Sequence, residues 1–128
     1  MIVDTSALIA IVTKEPGYES LIEKLLASPS AGMGTPTLTE SAIVLGSRLG
    51  FDAGDLLTRV TAAFDIVPVP FGEDHWREAV RAYMRYGRGR HPARLNFGDC
   101  LVYAIARLAG EPLLFVGTDF GLTDLEAA

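Results

Sequence analysis

The chain has 128 residues, 49% of them hydrophobic, a formal net charge of −5 and one cysteine. A length typical of one domain buries roughly two-thirds of the unfolded surface without a covalent staple. One cysteine excludes an intrachain disulfide, two histidines give no zinc-finger spacing, and no run of roughly 18 apolar residues exists to span a bilayer.

The N-terminus carries no basic region of the kind that opens a signal peptide. A single domain over residues 1–128, in a reducing cytoplasm and away from membranes, is therefore expected. The acidity is unevenly spread. Six of the eleven basic residues, Arg77, Arg81, Arg85, Arg88, Arg90 and Arg94, fall between positions 77 and 94 and make a cationic strip in an acidic protein.

In chain order, "MIV" before Asp4 predicts a short buried strand, and Thr5 or Ser6 can cap a helix through "ALIAIVT" until Pro16 and Gly17 break it. "YESLIEKLLAS" has helical apolar spacing and gives way to the Ser/Pro/Gly-rich stretch from Ser28 to Gly34, read as a connection. Thr35 before Pro36 matches an N-cap with proline at the first helical position, and Leu38, Ala42, Leu45 and Leu49 carry that helix to Gly50. Asp52 opens a fourth helix. "DIVPVP" predicts a second strand whose prolines suit an edge. "GEDHWREAVRAYMRYG" is a long helix with Trp76, Val80, Tyr83 and Met84 on one side, and Gly87 to Arg94 form a loop. "NFGDCLVYAIARLAG" is the last helix, stopped at Gly110, and "PLLFVG" the last strand. Strands separated by helices require crossovers, hence a mainly parallel sheet covered by helices in one α/β domain.

In such sheets ligands bind beyond the carboxyl ends of the strands. Asp4 and Asp119 each follow a predicted strand, while Glu40 and Asp99 lie near helix starts. Each has a simpler reading: Asp4 and Asp119 as caps, and Thr37-x-x-Glu40 and Asn96-x-x-Asp99 as capping boxes. Four acids gathered at one sheet edge, however, repel one another unless a cation compensates them. Hard oxygen donors suit Mg²⁺ or Mn²⁺, which activates water and stabilises charge on a phosphoryl group. That is the chemistry of a metal-dependent nuclease.

With "MIVDTSALIAI", "TLTESAIVL", "RLNFGDCLVYAIA" and "LLFVGTDFGLTDL", the sequence resembles the PIN-domain ribonucleases, in particular the toxins of VapBC-type toxin–antitoxin pairs, nearly end to end. The resemblance implies a three-layer α/β/α fold. It implies Asp4, Glu40, Asp99 and Asp119 as the catalytic acids, with Asp4 and Asp99 binding Mg²⁺ or Mn²⁺ and Ser6 and Thr118 as supporting polar groups. Thr118 stands where close relatives often carry asparagine, and Asp124 is a further outer acid. The implied activity is endonucleolytic cleavage of structured cellular RNA such as tRNA or rRNA, blocking translation. The implied partners are a VapB-type antitoxin and a second copy of the chain, with part of the antitoxin groove around Leu8, Ile11, Leu21 and Leu25, of which at least half read equally as plain core packing. Arg85, Arg88, Arg90 and Arg94 become candidate RNA contacts beside the acids, although such a strip also reads as a solvated face.

Cys100 reads as a core residue and His75 and His91 as loop or surface residues, so none joins the site. Two other readings stand beside the nuclease. A haloacid-dehalogenase-type phosphatase needs a second acid two residues after its aspartate, where this chain has Ser6. A phospho-receiver or other non-catalytic protein-binding domain would resemble its kin in placing a lysine after the last strand, where this chain has Asp119.

Overall fold

The computed structural model describes residues 1–128. Strand β1 (Ile2–Val3) leads to helices α1 (Thr5–Thr13) and α2 (Tyr18–Ala27); β2 (Ala31–Gly34) leads to α3 (Thr35–Leu49) and α4 (Gly54–Ala63). Next come β3 (Ile66–Val69), α5 (Glu73–Tyr86), α6 (Phe97–Ala109), β4 (Leu113–Leu114) and a 3₁₀ turn at Phe120–Leu122. The strands form one all-parallel sheet in the order β3-β2-β1-β4. Ile2 pairs with Gly32 on one side and Leu113 on the other. The C-terminal residues run along the outer side of β4, where Leu113 N donates to Glu126 O at 2.8 Å and Ala128 N to Leu113 O at 2.9 Å.

Alternation along the strands divides the core into the two interfaces of a three-layer α/β/α fold. Ile2 and Leu113 pack with α5 and α6 through Ala79, Tyr86, Val102 and Ile105. Val3, Met33, Ile66 and Leu114 pack with α1, α2 and α4 through Leu8, Leu25 and Leu57. The chain builds β1, β2 and β3 outward to one side and then places β4 on the other side of β1, so the strand order reverses at the carboxyl ends of β1 and β4. Crevices in open α/β sheets form at such reversals.

The structure corrects several expectations. The supposed connection before Gly34 contains β2, whose "AGMG" is fully buried and joins β1 to β3. Glycine here marks close approach, not a break: a Cβ at Gly34 would lie 2.9 Å from Ile105 Cγ1 and one at Gly32 2.9 Å from Val69 Cγ2. The first helix is capped by Asp4, one residue before Thr5, and the third by Gly34 in place of Thr35. No Thr37–Glu40 capping box forms, since Thr37 already lies inside α3 and Glu40 in its second turn. The proline-bearing β3 is an edge strand, as expected. On α5 the inward residues are Ala79, Ala82 and Tyr86, while Trp76, Val80, Tyr83 and Met84 are exposed.

Candidate functional site

Asp4 is 7% exposed and lies at the point where the sheet order reverses. Its Oδ2 accepts from Ser6 N at 3.0 Å and from the Ser6 hydroxyl in a short hydrogen bond. Ser6 Oγ in turn accepts from Val116 N at 3.0 Å, joining the start of α1 to the segment after β4. Both Ser6 bonds fall on one oxygen, so Oδ1 of Asp4 remains for a cation.

Asp99 shows the same division. A reciprocal capping box joins Asp99 Oδ2 to Asn96 N and Asn96 Oδ1 to Asp99 N, each at 2.9 Å. The predicted cap is therefore real, and it holds the half-buried carboxylate at the start of α6 with its second oxygen left over. Glu40 reaches the same place from α3. A Cβ on Gly98 would lie 2.9 Å from Glu40 Oε2, so the missing side chain at Gly98 is what allows the two carboxylates their close approach. Asp4, Glu40 and Asp99 line one cleft together with Thr5, Ser6, Ile9, Glu15, Val44, Arg48 and Val116.

The electrostatics agree with the geometry. Burial pushes the Asp4 carboxyl up, against the opposing hydrogen bonds of Ser6 and Thr5. Glu40 is raised by partial loss of solvent and by the charges of Asp4 and Asp99, with Thr5 opposing. Asp99 is raised by burial and then by Asp4 and Asp119, against its bond from Asn96. Asp119 itself is exposed, at the head of the 3₁₀ turn, and reaches the cluster only through its charge on Asp99. Thr118 is exposed beside it and Ser6, not Thr118, makes the hydrogen bond to an acid.

No three carboxylates stand close enough to form a ready-made cage of three protein ligands. Mg²⁺ does not require one. It keeps several waters and takes one or two carboxylates, which matches two acids that each have one oxygen committed to a cap and one free. Burial first, and then the charges of Asp4 and Asp99 on Glu40 and of Asp4 and Asp119 on Asp99, disfavour the ionised carboxylates, a cost that a bound cation would relieve.

Other candidates fall elsewhere. Asp124 accepts from the Tyr103 hydroxyl at 2.6 Å and pairs with Arg85 at 3.2 Å and Arg107 at 3.8 Å. Partial burial works to raise its pKa, but Tyr103, Arg107 and Arg85 outweigh it and hold the carboxyl below its usual range. Asp124 thus ties the C-terminal segment to α5 and α6 and does not line the acidic cleft. Arg85, Arg88, Arg90 and Arg94 are exposed, yet none lines the cleft either. Its basic side chain is Arg48, which no motif in the sequence marks. Also missed were Thr5 and Ser41, whose hydroxyls meet at 3.1 Å beneath the acids and join α1 to α3.

Cys100 is buried and burial, with the Asp99 charge, pushes its thiol up to about 11, so it is no nucleophile. His75 and His91 accept hydrogen bonds from the backbone N–H groups of Gly72 and Ala93, away from the acids. The expected groove around Leu8, Ile11, Leu21 and Leu25 is not a surface: Leu8, Ile11 and Leu25 are core residues at 0%, 7% and 3% exposure, with Leu21 packed against them. A continuous apolar groove lies instead between α5 and α6, lined by Trp76, Val80, Tyr83, Phe97 and Leu101, with exposed Ile43 on α3 in a neighbouring trough.

The PIN-domain family model matches residues 1–125. Ribonuclease VapC36 of Mycobacterium tuberculosis is 45% identical over 127 residues, covering 98% of this chain and 91% of that one. The crystal structure of VapC20 from Mycobacterium tuberculosis, described as a toxin cleaving the sarcin–ricin loop, superposes with a TM-score of 0.79 at 17% identity, covering 99% and 97% of the two chains. A chain from a toxin–antitoxin complex of Klebsiella pneumoniae superposes with a TM-score of 0.69 at 20% identity, covering 93% and 88%. The last two likenesses are likenesses of fold.

Proposed function

The chain belongs to the PIN-domain family, among the VapC ribonucleases, and from that premise we propose that its acidic cleft cleaves structured RNA with Mg²⁺ or Mn²⁺. The observation that carries this is the convergence of Asp4, Glu40 and Asp99, from three distant segments, in one cleft at the sheet's reversal point. Neither rival keeps its ground: Ser6 is spent on Asp4, and an aspartate occupies the position a receiver gives to lysine.

The free oxygens of Asp4 and Asp99 would hold the cation. A divalent ion there supplies a lowered pKa to bound water and charge neutralisation at the phosphoryl oxygens. Glu40, which lines the cleft beside Asp4 and Asp99, would orient the attacking water and accept its proton. Asp119 extends the negative field to the exposed side of Asp99, and Ser6 fixes the Asp4 rotamer. Arg85, Arg88, Arg90 and Arg94 hold the polyanion outside the cleft, where Arg85 is already shared with Asp124.

Such an activity inside its own host needs control, and the toxin–antitoxin assembly of the Klebsiella neighbour supports a VapB-type antitoxin as the controller. A trough lined by Pro36, Ile43, Phe97 and Leu101 ends at Glu40, giving an antitoxin tail a route to the carboxylates, where an arginine competes with the metal. The α5–α6 groove suits a second copy.

The test is cleavage of tRNA and rRNA by the purified chain with Mg²⁺, Mn²⁺ or EDTA, alongside Asp4→Asn and Asp99→Asn. Metal-dependent cuts that vanish in both folded variants support the reading; wild-type activity in either one overturns it. Co-expression with a cognate antitoxin should relieve growth arrest, and a harmless folded chain sinks the toxin assignment.

A further inference from the structure

Glu40, Val44 and Arg48 recur every four residues on α3 and face the same cleft. Helical rise places Arg48 about 12 Å along the axis from Glu40. Arg48 is the only lysine or arginine that lines the cleft. Its Nη1 donates to Glu15 Oε1 at 3.0 Å, and Glu15, from the turn after α1, lines the cleft as well. The same Glu15 oxygen accepts from the Thr13 hydroxyl at 3.4 Å. No second carboxylate holds Arg48.

The pair is half in water, with the arginine side chain 52% exposed and the glutamate 41%. Ion pairs of that exposure are weak and exchange their partners readily. Guanidinium also prefers a phosphate in bidentate geometry, through the same N–H groups that Glu15 occupies. An RNA strand entering the cleft meets Asp4, Glu40 and Asp99 and has one basic side chain of the protein there to meet its backbone.

We propose that Arg48 binds a phosphate flanking the scissile one, and that Glu15 is a built-in competitor which holds the guanidinium until RNA displaces it. The proposal rests on the ribonuclease reading above and deepens it. It assigns opposite signs to the two halves of one ion pair. Removing Arg48 removes a substrate contact, whereas removing the Glu15 charge frees that contact and takes one repelling charge from the cleft. A pair that merely braces α3 against the α1–α2 turn gives the same sign for both.

The experiment measures steady-state cleavage of a tRNA substrate with Mn²⁺, and its salt dependence, for wild type, Arg48→Gln, Arg48→Lys and Glu15→Gln, each checked by thermal melting. Wild type reports on the underlying reading: if it cleaves no RNA, the ribonuclease assignment fails before this one is reached. With wild type active, Arg48→Gln should raise KM about tenfold with little change in kcat, the loss of a charge-assisted hydrogen bond. It should also lower the slope of log kcat/KM against log salt by roughly 0.7 to 0.9, the value of one phosphate. Arg48→Lys should recover part of both, and Glu15→Gln should lower KM. An unchanged KM and slope in folded Arg48→Gln overturns the proposal, and so does a rise in KM in Glu15→Gln. Should Arg48→Gln fail to fold, the sign of the Glu15→Gln effect decides alone.

Discussion

Replacing Gly98 by alanine separates the stability of this fold from its chemistry. Gly98 sits in the first turn of α6 without a positive φ, so alanine meets no backbone penalty. A helical glycine-to-alanine change gains up to about 1 kcal/mol, part of it from a less flexible unfolded chain. The new methyl would stand 2.9 Å from Glu40 Oε2 and 3.5 Å from Asn96 Oδ1. Ordinary contact begins near 3.4 Å, so the Glu40 carboxylate must withdraw by roughly half an ångström or more. That costs the fold little, because the displaced atom ends a flexible side chain. Catalysis is less forgiving, since misplacement by about 1 Å can cost about a hundredfold. Gly98→Ala should therefore melt at the wild-type temperature or a few degrees above it and lose about tenfold or more in kcat. Differential scanning calorimetry and a gel-based RNA cleavage assay check the two halves. Wild-type kcat in a folded variant would refute the claim that Glu40 acts from the position seen here, and a lower melting temperature would refute the packing argument.

Asp99→Asn keeps an oxygen for the Asn96 cap while removing a charge that burial and neighbouring acids disfavour, so it should raise the melting temperature of the metal-free protein as cleavage disappears. Asp4, Glu40 and Asp99 all titrate above their unfolded values, so the folded state takes up protons first and their contribution to stability grows as pH falls from neutrality into the carboxylate range. Asp124, held low, runs the other way and loses its contribution only as pH falls through its depressed value; metal-free melts at pH 7 and pH 5 should show the three acids prevailing. Mn²⁺ at about 100 times its Kd should stabilise the protein at pH 7 by about 2.7 kcal/mol, and a flat melting curve against Mn²⁺ would remove the metal site. Leu8→Ala should cost about 2–5 kcal/mol as a core cavity, whereas a Trp76→Ser, Tyr83→Ser double variant should stay folded and sediment as a monomer. A dimer that survives that double change places the interface elsewhere.

The order of helices, the edge position of β3 and the places of Asp4 after β1 and Asp99 at the start of α6 were legible because each depends on local chemistry: periodicity, proline, a capping box. What stayed hidden depends on contacts between distant segments. "AGMG" carries no side chain that announces a strand, and its glycines make sense only once Ile105 of α6 and Val69 of β3 are known to press against them. The apolar stripe of α5 signalled a helix correctly but not which side faces inward, because Ala79 and Ala82 fill the narrow gap to α6 and leave Trp76 and Tyr83 outside. In the same way the spacing of Leu8, Ile11 and Leu25 fits a partner surface as well as core packing, and only their contacts with the sheet decide for the core. Arg48 and Glu15 are unremarkable in sequence and 33 positions apart, and only the fold turns them toward the acids.

The simple and the proposed functional readings of the acids are compatible in this structure. A carboxylate that caps a helix is fixed in rotamer by donors on one oxygen, as Asp4 is by Ser6 and Asp99 by Asn96. That fixation leaves a second oxygen aimed by the cap but unspent. The helix start supplies the donors that make burial of a carboxylate tolerable, and the burial supplies the raised pKa that a cation then reverses. Cap and metal ligand are therefore not rival uses of the residue: in the proposed scheme the cap would hold each of two ligands in place in a chain with no preformed three-acid cage. It follows that Asn96, which touches no metal or substrate in this scheme, sets the position of Asp99 as firmly as Ser6 sets that of Asp4.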